Sequence, residues 1–329
     1  MTQKDLNPLS FAEMWGSGLS SSASRADHFL KEWADSGLIK ALPSFQDYKN
    51  ISFPMFKVSE SKHQQLMEQV ESILGTELTK SGPHRRASWQ SGWAENLRKF
   101  GASSNSLALI PGYFEKSEYV RFENAWWEIA DSSAEPTYLG YIVDTVIQGL
   151  QKELSFSDIH EFGCGTGIHV ARLAQGFSDM QLSGYDWAPA SVELLSAFGD
   201  RSGLNNISAG QFDFFEPDDS VAVTQDSLVL TVAALEQVGD KFMPFLKFLK
   251  SKNPKIIVNI EPMEELLDLD TQLGKGSAEY FRKRNYLSGF YATLVALESE
   301  GEVEIVHSGR TGFGSLFIEG YSCVIWRFV

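Results

Sequence analysis

Cysteine is nearly absent from this chain: among 329 residues only Cys164 and Cys323 carry a thiol. Two thiols so far apart do not make a disulfide framework, and the expected compartment is the cytoplasm. Positive charge is also scarce. Twenty-eight Lys and Arg stand against 43 Asp and Glu, for a formal net charge of −15. Such a field repels phosphate backbones, so nucleic acid is not an expected partner. No apolar run is long enough to span a bilayer, and Met1-Thr2-Gln3-Lys4-Asp5 lacks the basic-then-apolar pattern of a secretory leader. The six histidines are scattered without zinc-ligand spacing, so no metal site is expected. No internal repeat is visible.

What is present is an ordinary core composition, 43% hydrophobic, in a chain long enough for two domains. Its most specific segment is Glu161-Phe162-Gly163-Cys164-Gly165-Thr166-Gly167. It follows an apolar strand pattern around Ile159 and leads into a helical run, His169 to Ala174. Strand, tight glycine turn and helix form half of a nucleotide-binding βαβ unit. Glycine is needed there because a side chain would block close backbone approach to a ligand. The dinucleotide fingerprint requires a third small residue where this chain has Ile168, which argues against NAD or FAD. The Gly-Lys-Ser/Thr ending of a phosphate-binding P-loop is absent, which argues against that type of ATP hydrolysis.

The spacing Glu161-x-Gly163-x-Gly165-x-Gly167 resembles motif I of the class I S-adenosylmethionine (SAM)-dependent methyltransferases. The resemblance continues in order through roughly the second half of the chain. A second strand ends in Asp186, whose carboxylate can accept hydrogen bonds from both ribose hydroxyls. Phe212-Asp213-Phe214-Phe215 falls where the family holds an acidic residue near the adenine amino group and an apolar neighbour against the ring. Ser227-Leu228-Val229-Leu230-Thr231 reads as the fourth strand, followed by Ala234-Leu235-Glu236-Gln237. The resemblance thus implies SAM as cofactor, held by Glu161, Gly163, Gly165, Gly167, Asp186, Trp187, Asp213 and Phe214. For Glu161 two roles stay open, orienting the glycine turn or reaching the methionine end of SAM. Phe212 is a further aromatic candidate for the adenine slot.

The expected architecture is α/β: a doubly wound, mainly parallel, seven-stranded methyltransferase sheet with an N-terminal, mostly helical accessory domain. Strands are expected at Asp158–Phe162, Leu182–Asp186, Ile207–Ala209, Leu228–Thr231 and Lys255–Ile260. Helices are expected between them at His169–Gln175, Ser191–Phe198 and Lys241–Leu249. A single long helix fits Ser277–Glu300, and two β-rich runs, Glu302–His307 and Tyr321–Phe328, close the chain as a hairpin. Before them, Lys62–Leu74, Trp89–Phe100 and Tyr138–Leu150 show helical periodicity, and Ser17–Ser24 reads as a loop. The boundary is placed near Ser132–Pro136, giving 1–132 as a substrate or cap domain and 133–329 as the SAM-binding domain. All the cofactor motifs lie after Asp158, so residues before about 132 are expected to select the acceptor rather than hold SAM.

Two residues are candidate general bases. Glu236 follows the fourth strand, where ligands meet the carboxyl ends of a doubly wound sheet. A helix-start acid favoured by the dipole is its alternative reading. His84 sits in Gly82-Pro83-His84-Arg85-Arg86, and imidazole titrates near neutral pH. An exposed or structural histidine is the alternative there. Arg86, Trp89, Trp93 and Asn96 share one helix face, so that Arg86 and Trp89 are candidate acceptor contacts. Arg284 and Arg310 are two more, the latter beside a glycine-containing loop, Gly312 to Ser315, that can fold over the site mouth and clamp an anionic group. Solvated basic turns are the bland reading of both.

The Asp/Asn-Pro-Pro-Tyr/Phe motif of amino-methylating nucleic-acid enzymes is replaced by Thr231-Val232-Ala233-Ala234. The fifth strand offers only Asn259 and Glu261 as oxygen ligands, so a magnesium site is not expected. The function expected is methylation, at oxygen or nitrogen, of a small polar molecule or glycan precursor. A protein or carrier-bound acceptor, and a non-catalytic SAM-binding partner subunit, are the alternatives; a nicotinamide oxidoreductase is a further one.

Overall fold

The computed structural model describes residues 55–103, 106–122, 124–129, 134–317 and 321–329. The Ser17–Ser24 loop lies outside them. Two sheets are present among the described residues. The larger contains β4 (Asp158–Phe162), β5 (Gln181–Asp186), β6 (Ile207–Gln211), β7 (Ser227–Val232), β8 (Ile256–Glu261), β9 (Val303–Arg310) and β11 (Ser322–Phe328). Its order is β6-β5-β4-β7-β8-β11-β9, parallel except for β11, which runs antiparallel to both β8 and β9. Counting within this sheet, that is the 3-2-1-4-5-7-6 order of the class I methyltransferase fold. The order reverses between β4 and β7, which opens a crevice at their carboxyl ends.

The central strands are legible in their residues. Every position of β7 (Ser-Leu-Val-Leu-Thr-Val) and of β8 (Ile-Ile-Val-Asn-Ile-Glu) is buried, as parallel strands covered on both faces must be. One face is covered by α3 (Ala134–Glu153) and α4 (Ile168–Gly176), through residues such as Tyr138, Val146, Val170 and Leu173. The other is covered by α6 (Met243–Lys252) and α8 (Phe290–Ser299), where Phe162, Phe212, Phe245 and Phe248 form an aromatic nest. Cys164 and Cys323 are both free and buried.

The expected helix Ser277–Glu300 is two helices, α7 (Gln272–Arg284) and α8, separated by Asn285–Gly289. Asn285 adopts φ 53° and the Tyr286 amide turns back to the Phe281 carbonyl, the bonding of a left-handed helix stop. Asparagine tolerates that conformation, so a helical pattern running through it does not continue the helix.

The region before residue 130 contributes α1 (Glu60–Leu74), α2 (Arg86–Ser103) and three short strands, β1 (Met55–Lys57), β2 (Tyr119–Phe122) and β3 (Ala125–Ile129). None of these strands was visible as a pattern, because each is only three to five residues long. Their fourth partner comes from the other end of the chain: β10 (Phe313–Ser315) pairs antiparallel with β2. The glycine-containing loop Gly312–Ser315 is therefore a strand in a second sheet, not a flap. Buried Arg121 ties the two regions together, donating to the carbonyls of Leu273 and Leu316 and to Ser277 Oγ. The accessory helix α2 packs on α5 (Pro189–Ser202), with Phe100 against Phe198 at 5.9 Å.

Candidate active site

The glycine turn after β4 carries left-handed backbone at Gly163 (φ 74°), Gly165 (φ 56°) and Gly167 (φ 75°). At Gly163 a Cβ would lie 2.4 Å from Ala234 Cβ, so glycine is required by both conformation and space. Above Gly165 the nearest neighbour is the Trp93 indole, 3.1 Å from where a Cβ would stand. The turn is pinned from the sheet: the amides of Gly163 and Cys164 donate to the Tyr185 carbonyl at 2.7 and 2.9 Å.

Asp186 holds the same turn. Its Oδ2 accepts from the Gly165 amide at 3.0 Å and its Oδ1 from the Ala188 amide at 2.9 Å. Each oxygen keeps a second lone pair, so the carboxylate remains able to receive ribose hydroxyls. Burial raises its pKa to about 6, against the pull of those two amides. Glu161 is fully buried behind the turn. It accepts from the Val170 amide in the first turn of α4, while its Oε2 has no partner. Both open roles of Glu161 therefore have a physical basis, one oxygen on the turn's helix and the other available to a ligand.

The crevice is an open cleft of about 950 Å³. The glycine turn, Asp186 and Trp187 line one side, and Phe212, Phe214, Ala233, Ala234, Gln237 and Val238 line another. Trp89 and Trp93 of α2, stacked at 5.3 Å, roof it together with Tyr113 and Phe114. Gln90 of the same helix accepts from the Ala190 amide at the start of α5. Residues before 132, expected to select the acceptor, thus line the same cleft as the glycine turn.

Two buried carboxyls, Glu161 and Asp186, line this cleft, and two more, Glu236 and Glu261, are buried at the neighbouring Leu235–Val238 turn. Besides Asp186, burial raises Glu161 and Glu236 to about 8 and Glu261 to about 7. The charge of Glu261 adds to the shift of Glu236. Glu261, at the end of β8, accepts from the amides of Ala234, Leu235 and Glu236 and so braces the short 3₁₀ turn Leu235–Val238. Glu236 Oε1 accepts from Gln237 Nε2 at 2.8 Å, and its Oε2 is buried without a partner. Its charge acts on the phenols of Tyr113, Tyr280, Tyr286 and Tyr321, and Arg284 partly offsets it.

The other sequence candidates are placed as follows. Asp213 accepts from the Phe215 amide and is ion-paired with Arg86, whose guanidinium sits 5.3 Å over the Trp187 ring. That pair closes over the edge of the cleft rather than lining it. Trp187 and Phe215 stack at 6.4 Å, forming an aromatic wall beside it. His84 is exposed on the 3₁₀ turn Pro83–Arg85 and is not among the lining residues. Arg284 ends α7, donates to the Thr79 carbonyl and lies over Tyr280 and Tyr286. Arg310 donates to Asn124 Oδ1 at 2.9 Å and approaches Asp268 at 3.5 Å, so it is tied to protein groups rather than offered to an anion. Asn96 is structural, holding the carbonyls of Ala108 and Ile110 at 2.8 Å.

Sequence reasoning missed several lining residues, among them Tyr113, Phe114, His169, Gln237 and Tyr321. Only His169 carried a signal, its place in the first turn after the glycines. Its imidazole is buried, lowered to about 3, and therefore neutral. Among the described residues no cluster of His, Cys, Asp and Glu could hold a metal ion, and no helix is long and apolar enough to cross a membrane.

No protein-family model matches the sequence, and no curated protein matches it. Solved structures align weakly. A SAM-dependent methyltransferase from Aquifex aeolicus is 12% identical, with 59% of this chain and 98% of that one covered and a TM-score of 0.39. Magnesium protoporphyrin IX methyltransferase from Synechocystis is 17% identical, covering 60% and 86%, with a TM-score of 0.43. A putative O-methyltransferase from Nostoc punctiforme is 13% identical, covering 60% and 58%, with a TM-score of 0.44. The fold assignment above rests on strand order and direction.

Proposed function

We propose that the chain is a SAM-dependent methyltransferase acting on a small polar molecule or a glycan precursor. The observation that carries this reading is the set of buried carboxyls at and beside a glycine turn at the sheet's switch point. Each of the four is pushed toward its neutral form by burial, and a cationic ligand would reverse that push. SAM fits this donor set: it carries positive charge at its sulfur and amino groups, net +1 with its carboxylate, and supplies a methyl already activated for transfer. Glu161 would take the amino group on its unpartnered Oε2. Asp186 would take the ribose hydroxyls, and Phe214 and Trp187 would flank the adenine.

The chain's own contribution is alignment and proton removal. Glycines 163, 165 and 167 allow the close approach that fixes the donor, and well-oriented reactants can supply on the order of 7–11 kcal/mol of the barrier. Glu236 is the base. Its raised pKa makes it a strong proton acceptor once ionised, and the sulfonium charge in the cleft favours ionisation. Neither Glu236 nor His84 is a lining residue, but Glu236 has a buried carboxylate oxygen without a partner while His84 is exposed on its turn, which favours Glu236. Tryptophans 89 and 93 exclude water above the donor, an enclosure that favours a small acceptor over a protein one. Residues before 133 then act both as roof and as acceptor-selecting cap, with Arg86 and Arg284 at its edges. The test is calorimetric titration of S-adenosylhomocysteine into the full chain, followed by detection of methyl transfer from labelled SAM to a panel of polar acceptors. A chain that binds S-adenosylhomocysteine but never turns over would instead be a SAM-binding partner subunit.

A further inference from the structure

A second, open pocket adjoins the cleft, bounded by α1, the start of β2 and the strap 315–317. Tyr113, Phe114 and Tyr321 line both cavities and form the wall between them. We propose that this second cavity is the acceptor site and that it takes a neutral, polyhydroxylated ring, a sugar. The inference deepens the methyltransferase reading and rests on it.

The lining argues for that chemistry. Glu135 is only 2% exposed, and both its partners are hydroxyls: Ser117 Oγ donates to Oε2 at 2.8 Å and the Tyr321 phenol to Oε1 at 3.5 Å. A carboxyl group has room for about two more hydrogen bonds. Lys62, whose ammonium rests 5.1 Å over the Tyr119 ring, and Gln69 add donors at the opening. Lys62 and Lys116 stand against Glu118 and Glu135, and burial raises Glu135 to about 7, so the lining carries at most a small net charge near neutral pH and no strong field for a phosphate or an amine. Tyr119 and Phe317 supply flat apolar faces, and Phe317 is itself held by stacking on Tyr280 at 5.0 Å. Alternating donors and acceptors above an aromatic face suit a ring with hydroxyls on its edge and C–H groups on its face.

The wall also explains how a hydroxyl would meet the donor. Tyr113 and Tyr321 line both cavities and both feel the charge of Glu236, so an acceptor hydroxyl held at this wall would lie within electrostatic reach of that carboxylate. Its oxygen forms the new bond to the methyl carbon as the carbon–sulfur electron pair goes to sulfur, and its proton passes to Glu236. The products are a methyl ether, neutral S-adenosylhomocysteine and a protonated Glu236, so atoms and charge balance.

The test is saturation-transfer NMR on the full chain with a panel of neutral hexose and 6-deoxyhexose methyl glycosides, with and without saturating S-adenosylhomocysteine. Inorganic phosphate and a simple alkylamine, read by competition, serve as wrong-class probes. At least one glycoside is expected to receive saturation at its ring protons. Glu135→Gln and Gln69→Leu are each expected to weaken that glycoside about tenfold or more while S-adenosylhomocysteine affinity stays within about twofold. Gln69 is exposed on α1, so its variant keeps the test intact should Glu135→Gln not fold. The proposal is overturned if no glycoside binds, if phosphate or amine competes as well as a sugar, or if both variants bind sugar like the parent. Failure of S-adenosylhomocysteine to bind would be a separate result, against the methyltransferase reading itself.

Discussion

The floor and the roof of the cleft are built in opposite ways. The floor is backbone: a glycine turn whose own amides donate to the Tyr185 carbonyl at a strand end, with Asp186 as its fastening. The roof is side chain: Trp89, Trp93, Tyr113 and Phe114, delivered by segments that precede the sheet in sequence. A backbone floor restricts which residues can occupy it, because positive φ and close packing admit glycine alone. An aromatic roof imposes no such restriction, since many helices carry two tryptophans four residues apart. The floor is therefore where geometry is specified, and the roof is where enclosure is added.

Glu236 is buried in the turn beside the floor, and its loss should have the largest effect. Glu236→Gln should lower the single-turnover rate at saturating SAM by about two to four powers of ten while leaving SAM affinity nearly unchanged. His84→Asn, on the exposed turn, should change the same rate less than several-fold. Equal losses in both variants would undo the distinction between a buried base and an outer turn. Asp186→Ala tests the floor. Removing hydrogen bonds to a charged group should weaken S-adenosylhomocysteine by about 1.5–3 kcal/mol, read by calorimetry on folded protein. Unchanged affinity would remove Asp186 from the site.

Trp93→Ala tests the roof. Loss of the stacked indole should weaken the same ligand by about 0.5–1.5 kcal/mol, less than the floor variant. A larger loss than that of Asp186→Ala would invert the comparison. A further effect is expected on stability against pH. Glu161 and Glu236 at about 8 and Glu261 at about 7 hold protons in the folded chain that the unfolded chain has already released above about pH 5. Stability without ligand should therefore fall as pH rises from 7 to 8.5, and SAM should reduce that fall. Buried neutral His169 and His307, both at about 3, do not contribute in this window because their unfolded imidazoles are neutral there too. A melting temperature that rises over the window would contradict the pKa pattern.

The same contrast decides what could be read from the sequence. Five parallel strands, the glycine turn and Asp186 were legible because buried strands need continuous apolar runs and the turn needs glycine. The small sheet was not, since its strands are short and β10 pairs with β2 across almost two hundred residues. The break at Asn285 was hidden by a helical pattern on both sides of it. Arg310 read as an anion clamp, but Asn124 and Asp268, both distant in sequence, occupy it. Tyr113 and Tyr321 gave no signal at all, because a tyrosine in a loop or strand start becomes a wall only once the chain has folded around it.

The central claim is that the carboxyl-lined glycine turn accepts a sulfonium nucleoside rather than a dinucleotide. Calorimetric titration of SAM and, separately, NADH into the full chain tests it most directly. The account predicts saturable one-to-one binding of SAM and no heat from NADH. Binding of NADH with no binding of SAM would contradict it.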